Sequence, residues 1–168
     1  MKKLFPVLAA IILAQFAQTI PARAKGVKDL GVAPAAVADP LKALYRFVGV
    51  YDDRVGVTST ALFCSSSSTV LERLTIYLNN EEGTIVGARS YSLEPDATGI
   101  FTTRPIAVYQ GENVIPLAIP IYAGRARIYA SSSAVHCSAT LITNNYSNLL
   151  LATPLHGVRF TVVPGTLE

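Results

Sequence analysis

Short extended stretches, cut at close intervals by turn residues, constrain this chain more than any other feature of its sequence. Between Val70 and Leu78, Val70, Leu74, Ile76 and Leu78 fall on one face and Arg73, Thr75 and Tyr77 on the other. Successive side chains of a strand point to opposite sides, so this alternation predicts a strand with one face on a core and one toward water. Comparable stretches rich in Val, Ile, Thr, Tyr and Phe run over Leu44–Tyr51, Val57–Cys64, Thr84–Leu93, Thr98–Thr103, Arg125–Ala130, Val135–Thr143, Leu149–Ala152 and Val158–Val163. Such residues suit a pleated, half-buried backbone.

The links between these stretches carry turn chemistry. Asn79–Gly83 is a polar run ending in glycine and reads as a hairpin loop, and Glu94-Pro95-Asp96 reads as a turn. Pro105, Pro116 and Pro120 interrupt the apolar run Ile106–Tyr122. Proline cannot donate to a central ladder, so short edge pieces or a packed loop are expected there. No helical periodicity lasts beyond two turns. The pattern predicts an all-β fold, an antiparallel β-sandwich of about 7–9 strands.

The N-terminus reads as an export signal. Lys2 and Lys3 precede an apolar run from Leu4 to Phe16, and Ala22-Arg23-Ala24 places small residues at the −3 and −1 positions of a cleavage site. The run is shorter than the roughly 20 apolar residues that cross a bilayer, so a signal helix over 1–24 is expected, with no permanent membrane anchor after cleavage. A loosely ordered segment over 25–43, or an extended one lying on the domain, and a sandwich domain over 44–168 would follow.

Cleavage also changes the charge. The chain carries +3, from 14 Lys+Arg against 11 Asp+Glu; losing Lys2, Lys3 and Arg23 leaves 11 against 11. The remaining cations are scattered singly along the chain. A nucleic-acid partner needs a concentrated basic face and is not expected.

Two cysteines remain, Cys64 and Cys137. An exported chain meets an oxidising compartment, so their pairing in a disulfide is expected. Cys64 ends one strand candidate and Cys137 lies within a late one, an arrangement that could staple two facing sheets as the immunoglobulin bridge does. The chain has no tryptophan to pack on such a bridge.

Candidate chemistry is sparse. The bases for a hydrolytic triad are His136 and His156. His136 adjoins Cys137, so if the sulfur points inward the imidazole points out; His156 lies in a turn. The same alternation argues against a metal site of Cys64, Cys137 and His136. The pairs Asp52-Asp53 and Glu81-Glu82 could contribute to calcium ligation if further oxygens converged, but both sit in expected turns. The serine runs 65–68 and 131–133 read as solvated bends. Tyr77, Tyr91 and Tyr129 form a candidate binding face, since tyrosine supplies rigid amphipathic contact area. No catalytic residue, metal ligand or cofactor site is assigned.

At Thr60-Ala61-Leu62-Phe63-Cys64, Gly83-Thr84-Ile85-Val86-Gly87 and Leu93-Glu94-Pro95-Asp96-Ala97-Thr98 with Phe101, the chain resembles exported bacterial β-sandwich proteins of the immunoglobulin-like kind with no assigned activity. Asp96 stands where their turn has glycine. The resemblance implies fold and compartment, periplasmic or extracellular. The expected function is a non-enzymatic interaction or structural module with a protein or glycan partner; the alternatives are a secreted hydrolase and a carrier of a small ligand or ion.

Overall fold

The computed structural model describes residues 25–31, 41–106, 109, 111–144 and 150–160, without the side chains of 25, 144 and 150. The expected signal segment 1–24, the stretch 32–40 and the end of the last strand candidate lie outside the described residues. Ten strands follow in chain order: β1 (Lys25–Gly31), β2 (Lys42–Asp52), β3 (Thr58–Ser66), β4 (Glu72–Asn79), β5 (Ile85–Thr102), β6 (Asn113–Val114), β7 (Ile121–Ala130), β8 (Val135–Asn144), β9 (Leu150–Pro154) and β10 (Gly157–Arg159). No helix occurs among the described residues.

All ten strands bond into one curled sheet in the order β10-β2-β7-β4-β5-β3-β8-β9, with β1 and β6 also alongside β5. Every pairing is antiparallel except that of β5 with β6. The two ends of this path are neighbours along the chain. Leu155 donates its N–H to Ala139 of β8, and His156 accepts from Val48 of β2. The chain thus steps from one margin of the sheet to the other across these two residues.

Alternation places Leu74, Ile76 and Leu78 of β4 in the core as expected, but Val70, expected on the same face, lies ahead of β4 and is 63% exposed, and Glu72 takes the buried position at the start of the strand. Leu74, Ile76 and Leu78 are fully buried, with Leu44, Leu62, Phe101, Ile121 and Ile128 contributed by neighbouring strands. Each such side chain contributes roughly 1.5–3 kcal/mol of hydrophobic stabilisation. A smaller cluster of Ala61, Ile106 and Ile142 covers the other face of β3, with Phe63 edge-on to Tyr109 at 5.5 Å. The proline-punctuated segment supplies this cover. Before β7 begins at Ile121, its only strand among the described residues is the two-residue β6, and Ile115 beside it reaches the main core.

Two expectations about local structure change. Glu94-Pro95-Asp96 does not separate two strands but bends one, β5, which runs 18 residues without interruption. β4 pairs with β5 up to Leu93 and β3 from Thr98, so Pro95 sits where no ladder bond to either is needed. Asp96 has φ 54°, in the left-handed region that aspartate tolerates. Part of the expected loose lead-in is ordered as β1, paired with β5 between Lys25↔Thr98 and Gly31↔Ser90.

The disulfide forms, but not between facing layers. Cys64 and Cys137 are direct register partners in the adjacent strands β3 and β8, with Cα atoms 4.2 Å apart. Directly opposed residues at a non-hydrogen-bonded site approach to about 4.5 Å, which is within reach of an S–S bond.

Candidate functional site

The outward face of β2, β7 and β4 concentrates the unusual side chains. In β7, Gly124, Ala126, Ile128 and Ala130 face the core, so alternation turns Arg125, Arg127 and Tyr129 outward. Register aligns their neighbours: Arg46 of β2 and Tyr77 of β4 both stand opposite Arg127, while Ala43 and Thr75 flank Tyr129. A pocket of about 280 Å³ opens here, lined by Tyr45 and Arg46 of β2, Arg125, Arg127 and Tyr129 of β7, and Phe160 beyond β10.

Specific contacts hold these groups. The Tyr77 and Tyr129 rings meet edge-to-face at 5.6 Å, and the Arg127 guanidinium lies 5.8 Å from the Tyr77 ring centre. Arg127 Nε donates to Asn79 Oδ1 at 3.2 Å. Arg159 lies over the Tyr45 ring at 5.6 Å and donates to the Ser133 carbonyl. No carboxylate lines the pocket among the described residues. Arg46 makes no hydrogen bond or ion pair among the described residues, and the buried Nε of Arg125 has no acceptor. The arrangement can grip an anion and offer flat apolar surface beside it.

Two members of the expected tyrosine face therefore stand together, and the third does not. Tyr91 is fully buried and packs on Phe101 with ring centres 4.5 Å apart. Register explains the correction: Tyr77 faces Ala88 across the β4–β5 ladder, whereas Tyr91 faces core residue Leu74. Sequence reasoning missed Arg46, Arg125 and Arg127. The spacing Arg125-x-Arg127-x-Tyr129 within one strand was the available signal for two of them.

The other candidates resolve into structural roles. His136 is exposed beside the inward-leaning Cys137, and its Nδ1 lies 3.4 Å from Arg159 Nη1; His156 is exposed at the margin-crossing step. The Asp52-Asp53 pair receives a guanidinium. Arg104 lies 3.6 Å from Asp52 Oδ2 and 3.3 Å from Asp53 Oδ1, and donates to the carbonyls of Gly56 and Thr58. Asp52 and Asp53 also cap the turn by accepting the N–H groups of Arg54 and Gly56. Glu81 and Glu82 are exposed at the β4–β5 turn, where the Asn80 side chain accepts the Thr84 N–H.

The serine runs are less solvated than expected, because both converge on the buried Glu72. Ser131 and Ser132 donate to its two carboxylate oxygens. Burial alone would push this carboxyl up. Hydrogen bonds from Ser131, Ser132 and Ser68, with the Ser132 N–H, outweigh that and hold it below its ordinary value. The carboxyl thus titrates lower in the folded chain than in the unfolded one. Its contribution to stability is complete above the ordinary value of 4.5 and is lost as the pH falls through the lower folded value. Glu72→Gln should cost about 1–3 kcal/mol at neutral pH. In urea titrations the cost should shrink as the pH falls below that range; a pH-independent cost would show that the charge is irrelevant.

Comparison with family models, with curated proteins and with solved structures finds no match.

Proposed function

We propose that this chain is an exported, non-enzymatic interaction module of the periplasm or extracellular space that engages a protein or glycan through the outward face of β2, β7 and β4. The observation that carries this reading is the concave site at which Tyr129 and Phe160 stand beside three guanidinium groups, with Tyr77 seated against Tyr129. Rigid rings with polar rims, set in a depression, are the composition of recognition surfaces. The Cys64–Cys137 bond fits an oxidising compartment. The resemblance to exported immunoglobulin-like sandwiches belongs to the same reading: β5 pairs with β4 before Pro95 and with β3 after it, which supports two layers sharing that strand.

The test is site-specific photocrosslinking in the native host. A benzophenone side chain at position 129 should give a discrete adduct, and the same group at exposed Ser138 of β8 should give none. Equal adducts from both positions, or none from either, would remove the face from consideration.

A further inference from the structure

We infer that the pocket between β2 and β7 binds an acidic saccharide, holding the carboxylate, phosphate or sulfate group of one sugar unit between Arg46 and Arg127; this assignment rests on the interaction-module reading. The argument begins with a repulsion. Arg46 and Arg127 are register partners on adjacent strands, and Arg125 is two residues along the same face. Like charges directly opposed across a ladder are destabilising. The chain has the means to relieve such charge elsewhere. Arg89 meets Asp29 at 2.6 Å and Arg104 meets both Asp52 and Asp53. At this pocket no carboxylate is present among the described residues, and Arg46 is without a partner among them. An anion placed between the guanidinium forks converts the repulsion into attraction from both sides, with bidentate geometry available to a carboxylate, phosphate or sulfate.

The remaining walls indicate what carries the anion. Arg127 is fixed from behind by Asn79 and the Tyr77 ring, which leaves its outer N–H groups for a ligand. Tyr129 and Phe160 supply ring surface for the C–H face of a pyranose, and about 280 Å³ suits a single sugar rather than a length of polymer. A nucleic-acid backbone is a poorer fit, because duplex binders typically neutralise about 6–10 phosphates and this pocket gathers three cations in one place.

The experiment is calorimetric titration of the oxidised full chain with polygalacturonate, heparin, dextran and a single-stranded oligothymidylate. Polygalacturonate or heparin should bind and dextran should not, with affinity falling about tenfold or more between roughly 50 and 200 mM salt. Arg46→Gln and Arg127→Gln should each weaken binding about tenfold or more, and Lys28→Gln, on the exposed side of β1, should leave it unchanged. Arg46→Gln should melt at or above the wild-type temperature, since it removes one of two opposed charges without breaking a contact, whereas Arg127→Gln also gives up the Asn79 hydrogen bond and the Tyr77 ring and should melt lower than Arg46→Gln. Equal binding of dextran, wild-type affinity in both arginine variants, or tighter binding of oligothymidylate would overturn the assignment. A protein adduct specific to position 129 without polysaccharide binding overturns the saccharide and leaves the module standing; loss of both removes the two together.

Discussion

Arg104→Met should lower the unfolding free energy by about 3–5 kcal/mol, the usual cost of leaving a buried ion without its partner. Asp52 is 1% exposed, and Arg104 lies 3.6 Å from its Oδ2 atom, which has no hydrogen-bond donor. The same guanidinium serves Asp53 and the carbonyls of Gly56 and Thr58. Methionine fills much of the volume but leaves the Asp52 and Asp53 charges without a cation, their backbone N–H donors remaining, and takes the guanidinium away from the carbonyls of Gly56 and Thr58. Arg104→Lys keeps the charge without the planar fork and should fall between wild type and Arg104→Met. Adding Asp52→Asn to Arg104→Met should recover part of the loss, because the unpaired charge is then gone. Urea unfolding of the four proteins is the measurement. A loss under about 1 kcal/mol in Arg104→Met would mean that the cluster is solvated and the pairing incidental.

The second large effect concerns the sulfur bridge. Cys64 and Cys137 are separated by 73 positions, and closing a loop of that length restricts the unfolded chain by about 4 kcal/mol in the chain-entropy account. Replacing both residues by alanine should therefore lower the melting temperature by on the order of 10 °C, and reductant should do the same to the wild-type protein. The bridge joins register partners, so its loss also frees β3 to slip along β8. A slip of one residue would exchange the inward Leu62 with the outward-facing Phe63. Identical melts with and without reductant, or alkylatable thiols in protein purified without it, would contradict this account.

The parts of the fold that were legible beforehand are those set by local alternation. Leu74, Ile76 and Leu78 share a face because a strand has period two, and they are buried. Exposure of His136 followed from its position next to Cys137. Where pairing decides, local reading fails. Glu94-Pro95-Asp96 has the composition of a turn, and the same composition serves a bend inside β5, since what distinguishes them is which strands flank the segment. Tyr91 resembles Tyr77 in sequence, yet the β4–β5 register sends it into the core. The opposition of Arg46 and Arg127 could not be read locally, because it is created by a pairing between segments some eighty residues apart. Likewise the convergence of Ser68, Ser131 and Ser132 on Glu72 exists only once β4, β7 and β8 are assembled.

The step from Pro154 to Gly157 has a consequence for how this polypeptide matures. β9 and β10 are the last described strands to emerge during synthesis, and they alone occupy the outer margins of β8 and β2. Until they arrive, both margins hold unsatisfied amides and carbonyls that can recruit strands from another copy. Closure of both margins therefore waits on the C-terminal portion. A nascent product stopped before Leu150 should be insoluble even though nearly all of its core residues are present.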